Sequence, residues 1–207
     1  MKGIKIMKYL PLFADQFKKV QKNPFATRSN TIILPMHKAM ADQVETHGFK
    51  TRSLKNGEYN FLGPYGEKKL DIAIFDNNNK LLGAIMFKGI RSEYNKNRNN
   101  YFENMRGESQ LLIDGNISVY QIILIPTKCK HRDSSGNIVF ETPNEKSTEN
   151  YNSYIIGGYK PEKLKVGVFY IDIDYKNFKA SYSTRRIEAI KENTMTEGID
   201  NFCMSLR

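Results

Sequence analysis

KKLDIAIFDNNNKLLGAIMFKGIRSEYNKNRNNYFENMRGESQLL, residues 68–112, is the stretch on which the reading of this chain turns. Leu70 to Phe75 is a short apolar run of the kind that forms a buried strand. Asp76-Asn77-Asn78-Asn79 supplies a turn, because Asn and Asp bond their own backbone and tolerate left-handed conformations. Leu81 to Phe87 then reads as the hairpin partner. A polar, Asn-rich stretch leads into an expected helix from Tyr101 to Ile113, stopped near Gly115.

Outward from this segment the same alternation continues. Val119 to Ile125 is almost wholly apolar and β-branched, as in a strand buried on both faces. Lys128 to Asn137 reads as a polar loop, Lys165 to Ile173 as a strand after a Gly-Gly turn and Pro161, and Arg185 to Asn193 as a last helix. Upstream, Leu10, Phe13, Phe17 and Val20 fall at helical spacing over Ile6 to Val20, with Pro24 as the stop. A second helix is expected from Leu34 to Thr46, with Pro35 in its first turn, Gly48 beyond its end, and Met36, Met40 and Val44 as its apolar stripe. Strand, turn, strand, helix, strand is an α/β order, and a mixed sheet flanked by helices covers such strands most simply. With no repeat or low-complexity linker, residues 1–207 read as one domain.

Composition narrows the partners. Of 207 residues, 40% are hydrophobic and 12% aromatic, which suits a globular protein rather than a disordered one. Lys and Arg exceed Asp and Glu by ten, and the pI is near 9.4. A charge this far from zero favours a polyanion, nucleic acid above all. No cationic amphipathic helix points to a membrane, and no apolar run spans one, so a cytoplasmic protein is expected. Cys129 and Cys203 lack CxxC spacing and read as reduced thiols. GxxxxGK[ST], GxSxG and HExxH are all absent, which leaves ATP-driven translocation, serine hydrolysis and zincin chemistry unsupported. His37, His47 and His131 show no partner at metal or nucleophile spacing and are expected to be structural or exposed.

The central segment resembles the core of the PD-(D/E)xK nucleases, the family holding most type II restriction enzymes. In that pattern an Asp near the start of one strand is followed, on the next, by an acid, one spacer and a Lys. Asp71 takes the first place, after Leu70 instead of proline, and Lys88 the last. The resemblance covers about a quarter of the chain. It implies a restriction-endonuclease-like sheet with a catalytic core over residues 68–126. It further implies Mg2+-dependent cleavage of double-stranded DNA (Mn2+ substituting), a homodimer that reads a palindrome, and a cognate DNA methyltransferase as genetic partner. Phosphodiester hydrolysis needs a cation to neutralise the phosphate and activate water. Asp71 would hold the metal, and Lys88 would position the water and stabilise developing charge.

Met86 stands where the second acid belongs, and a thioether is a poor partner for magnesium. The missing carboxylate comes from the next helix, or the chain is an inactivated variant, or the match is accidental. Glu108 answers the first reading: Tyr101, Met105, Glu108 and Leu112 share one helical face, and an acid in an apolar stripe needs a cation or a metal. The alternative partner is Arg106; Glu103 faces elsewhere. Glu45, late in the second helix, is a further candidate acid. For DNA contact, Arg91, Ser92, Asn95, Lys96, Asn97, Arg98, Asn99 and Asn100 combine phosphate-neutralising cations with amides able to read adenine. Arg185 and Arg186, with Tyr182, Ser183 and Thr184 before them, form a second cluster. The loop with Lys128, Lys130, His131 and Arg132 is a third. The competing functional reading is a sequence-specific DNA-binding protein of the same fold without activity, and an RNA-directed protein is a further alternative.

Overall fold

The computed structural model describes residues 8–22, 30–156 and 162–207. Helix α1 (Tyr9–Lys22) and helix α2 (Asn30–Glu45) come first. Strand β1 (Lys50–Ser53) precedes a hairpin of β2 (Tyr59–Gly63) and β3 (Gly66–Leu70), then β4 (Ile72–Phe75) and β5 (Leu81–Gly89). Helix α3 (Tyr94–Asp114) leads to β6 (Ser118–Pro126) and a hairpin of β7 (Cys129–Arg132) and β8 (Ile138–Glu141). Helix α4 (Glu145–Ile156), β9 (Leu164–Asp174), β10 (Lys179–Tyr182) and helix α5 (Met195–Ser205) complete the chain. Pro24, the Gly157-Gly158 turn and Pro161 lie outside the described residues.

Six strands form one mixed sheet in the order β1-β4-β5-β6-β9-β10. Its β1, β4 and β5 are antiparallel neighbours, β5, β6 and β9 run parallel, and β10 returns antiparallel. Parallel neighbours need a crossover, and α3 makes the one between β5 and β6. Because side chains alternate along a strand, Ile72, Ile74, Ile85, Tyr120 and Ile122 meet α1, α2 and α5 on one face. Ala73, Ala84, Met86, Val119 and Ile123 meet α3 and α4 on the other. β6 is buried from Val119 to Pro126, as a strand covered on both sides must be. No helix among the described residues is long and apolar enough to cross a membrane.

Five local expectations are corrected. The run Leu70 to Phe75 is two strands broken at Asp71: β3 pairs with β2, whereas β4 pairs with β1 and β5. The Asn-rich stretch is the first turns of α3, since Tyr94 is fully buried and the Glu141 carboxylate accepts from the Asn95 backbone N–H at 2.9 Å. The loop from Lys128 to Asn137 is largely the β7–β8 hairpin, closed by Asp133, whose Oδ1 accepts from the N–H groups of Ser135 and Asn137. The expected helix from Arg185 to Asn193 is irregular chain; the helix starts at Met195, where Thr194 caps the N–H of Glu197. α2 also begins earlier than expected, at Asn30, so Pro35 lies inside it and costs a helical hydrogen bond. The buried stripe of Ile32, Met36, Met40 and Val44 offsets that loss.

Candidate functional site

The break between β3 and β4 sets Asp71 at the entry to the sheet. Its Oδ2 accepts from the backbone N–H of Phe87 at 2.7 Å. Burial pushes the Asp71 carboxyl up to about 7; the Phe87 hydrogen bond opposes the rise and the nearby Glu108 charge adds to it. Asp71, Lys88, Glu108, Lys68, Met86 and Gln121 all border one cavity of about 160 Å³ between the sheet and α3. Two motif positions and the helix-borne acid thus meet at one place.

Each contributor is held differently. Lys88 is exposed near the end of β5, with its ammonium 5.0 Å from the centre of the Tyr101 ring. Glu108 pairs with Lys68 of β3, not with Arg106, whose guanidinium lies over the rings of Phe102 and Tyr154. Met86 is 3% exposed and packs in an apolar cluster with Leu70, Ala73, Leu112 and Val119. Gln121, also 3% exposed, is directly opposite Met86 across the β5–β6 ladder.

A second group of donors lies beside Asp71. One ligand atom each from His37, Glu58 and Asp71 all lie within 4.8 Å of one another. His37, on α2, packs edge-on to Phe87, with centroids 6.2 Å apart. Burial lowers its pKa to about 4, so the imidazole is neutral at pH 7 and able to bind a metal. Its Nδ1 is buried and makes no hydrogen bond among the described residues. Two carboxylates and a neutral imidazole suit a divalent ion, the oxygens favouring Mg2+ or Mn2+ and the nitrogen favouring Mn2+ over Mg2+. His37 is buried, in line with the expectation of a structural histidine, and it also stands beside two carboxylates. His47 Nε2 contacts Asp200 at 2.8 Å, and His131 Nδ1 lies 3.8 Å from Glu141.

The other expected residues fall elsewhere. Glu45 is exposed, accepts from the Thr51 hydroxyl at 2.6 Å and has Lys55 at 3.6 Å; it does not border the cavity. Glu103 is exposed on α3. Arg91 is half-buried and donates to Gln16 at 2.8 Å, and Ser92 bridges to Lys130. Asn95 ties α3 to Thr142 and Asn144, and Asn97 donates to the Glu93 carbonyl. Lys96, Asn99 and Asn100 are exposed and Arg98 half-exposed on the early turns of α3. Arg185 lies over the Tyr170 ring and donates to the Pro143 carbonyl and the Thr148 hydroxyl, while Arg186 donates to Asn193.

Sequence reasoning missed His37, Glu58, Lys68 and Gln121. None of the first three belongs to a recognisable motif: Lys68 stands on β3 just ahead of Asp71, the β2–β3 pairing that ends at Tyr59 and Leu70 brings Glu58 alongside, and only His37 arrives by tertiary packing. Gln121 does carry one: it interrupts an otherwise apolar run in VYQIILI. Compared with family models, curated proteins and solved structures, the chain finds no significant match.

Proposed function

We propose that this chain is a divalent-metal-dependent endonuclease of the restriction-endonuclease type, hydrolysing phosphodiester bonds in double-stranded DNA. The observation that carries the reading is the convergence of Asp71, Lys88 and Glu108 on one cavity, with His37 and Glu58 against the same Asp71. The mixed sheet with helices on both faces accords with the core that the resemblance implies. A net charge of +10 supplies the attraction to DNA.

The residues divide the work. Asp71, deprotonated, with Glu108 on one side and His37 and Glu58 on the other, would hold the cation. A bound divalent ion neutralises phosphate charge and lowers the pKa of water. Lys88, at the edge of the same cavity, would orient the attacking water and offset charge on the phosphoryl oxygens. Lys68 neutralises Glu108, and the side chain of Tyr101 sits beneath the Lys88 ammonium. A homodimer cutting a palindrome, a cytoplasmic setting and a protecting methyltransferase follow from the same reading.

The test is digestion of a long unmethylated phage DNA with Mg2+, beside Ca2+, EDTA and Lys88→Ala controls. Discrete fragments that need Mg2+ and fall by roughly a hundredfold or more in Lys88→Ala support the reading. Equal cutting by Lys88→Ala removes it. A second reading, a DNA-binding protein of this fold without activity, is favoured by Met86 lying in the apolar cluster. It expects tight, salt-sensitive binding and intact DNA in both Mg2+ and Mn2+.

A further inference from the structure

Gln121 lies on β6, 3% exposed, among residues that are otherwise apolar. A primary amide there is costly unless its polar atoms are used. Its Nε2 donates to the Ser109 hydroxyl at 3.2 Å and to the Met105 carbonyl at 3.4 Å, both on α3. These partners determine which way round the amide lies. The Ser109 hydroxyl gives its own proton to the Met105 carbonyl at 2.8 Å. Both groups therefore present only lone pairs to Gln121, and the amide must turn its NH2 toward them. The carbonyl oxygen is left on the other side of a side chain that borders the cavity shared by Asp71 and Glu108.

The register adds a second argument. Met86 and Gln121 are direct partners in the parallel β5–β6 pair, so their side chains rise from the same face of the sheet. Neighbouring strands lie about 4.8 Å apart. An oxygen on the Gln121 side chain is thus one strand over from the position where the resemblance expects an acid and Met86 offers none. Ser109, which holds the amide, follows Glu108 directly, so the same turn of α3 positions both oxygen-bearing groups.

We propose that the Gln121 carbonyl oxygen is a protein ligand in the divalent-cation shell anchored by Asp71 and Glu108, replacing the oxygen lost at Met86. The inference rests on the metal-site reading above. A neutral amide oxygen binds Mg2+ or Mn2+ more weakly than a carboxylate does, so the shell trades affinity for one less buried negative charge.

Mn2+ titration followed by electron paramagnetic resonance at about pH 8 tests this on four proteins: wild type, Gln121→Leu, Gln121→Glu and Asp71→Asn, each melted in EDTA first. Gln121→Leu is expected to weaken Mn2+ binding by roughly tenfold or more, and Gln121→Glu to tighten it by a similar factor. Asp71→Asn is expected to abolish it. Should Gln121→Leu fail to fold, Gln121→Glu, which keeps the shape and can accept from the Ser109 hydroxyl once that group rotates away from the Met105 carbonyl, decides the matter alone. If both Gln121 variants bind as wild type, or Gln121→Glu binds more weakly, while Asp71→Asn does not bind, Gln121 is no ligand and the site stands. If wild type binds no Mn2+, or Asp71→Asn binds as well as wild type, the metal-site reading falls and this one with it.

Discussion

The carboxylate of Asp71 and the backbone N–H of Phe87 are joined by a 2.7 Å hydrogen bond. That bond ties the acid at the β3–β4 break to the strand whose next residue is Lys88. It also sets Asp71 between two groups of donors, one formed by His37 of α2 with Glu58 at the start of the β2–β3 hairpin and the other reached from α3. Backbone and charge together thus constrain this one carboxylate.

Burying that acid makes stability depend on pH. The Asp71 carboxyl titrates at about 7 in the fold against an ordinary 3.8, so the metal-free protein loses this contribution as pH rises from about 4 to about 7. His37 acts oppositely, because its lowered pKa of about 4 penalises the fold as pH falls below 6.5. The two effects overlap, and the Asp71→Asn variant separates them. In EDTA, its melting temperature should exceed that of wild type by a margin that grows with pH and levels off above about 7. Melting curves between about pH 5 and 8 measure this, and a constant margin contradicts it. Adding Mn2+ at the upper pH should raise the wild-type melting temperature and leave the variant unchanged.

Restoring the acid at Met86 should be harmful to the fold before it is useful to the site. The position is buried against Leu70, Ala73, Leu112 and Val119. A carboxylate there, close to Asp71 and Glu108, is expected to destabilise the metal-free protein by about 2–4 kcal/mol. Urea denaturation of Met86→Glu, with and without Mn2+, checks this. Metal should return much of the lost stability; equal losses in both conditions would mean that position 86 does not reach the ion.

Lys68 competes for the same oxygens. Its pair with Glu108 is about 30% exposed on each side, so its own contribution to stability is small, at most about 1 kcal/mol. Lys68→Met should therefore melt within a few degrees of wild type while binding Mn2+ several-fold more tightly, because Glu108 no longer faces an ammonium. Calorimetric titration would detect the difference, and weaker binding would count against competition.

Two of the three basic clusters should separate in their effects. Lys96 and Arg98 lie on the early turns of α3, and their joint replacement by Ala is expected to lower DNA affinity without changing the melting temperature. The slope of log affinity against log salt should fall by roughly one for each phosphate that the variant no longer neutralises. Arg185 instead holds Pro143, Thr148 and the Tyr170 ring. Arg185→Ala should destabilise by about 1–3 kcal/mol through the hydrogen bonds and stacking it removes. Binding isotherms at several salt concentrations and thermal melts distinguish these roles.

Local periodicity made the sheet legible wherever one residue type dominated a run. Val119 to Ile125 and Lys165 to Ile173 are strands as expected, and Leu10, Phe13 and Phe17 do face the core. The Asn run of α3 was not legible, because a capping carboxylate on β8 and the burial of Tyr94 outweigh weak intrinsic propensity. The helix at Met195 was announced by Thr-Met-Thr-Glu, a capping signature that lies just beyond the stretch from Arg185 to Asn193 read as the last helix. That Asp71, Lys88 and Glu108 come to border one cavity was readable from motif and helical spacing. His37 and Glu58 were not, because His37 reaches Asp71 only when α2 packs on the sheet and Glu58 only through the β2–β3 register.

The parallel pairing of β5 with β6 has a consequence in time. Met86 and Gln121 are far apart in the chain and become neighbours in the sheet only after α3 has crossed over and docked. Such non-local pairing is among the slower steps by which a chain matures. A nascent or half-folded chain therefore holds Asp71 and Lys88 without the amide and the helix-borne acid that accompany them. The cavity is assembled late, as a property of the finished sheet rather than of any one segment.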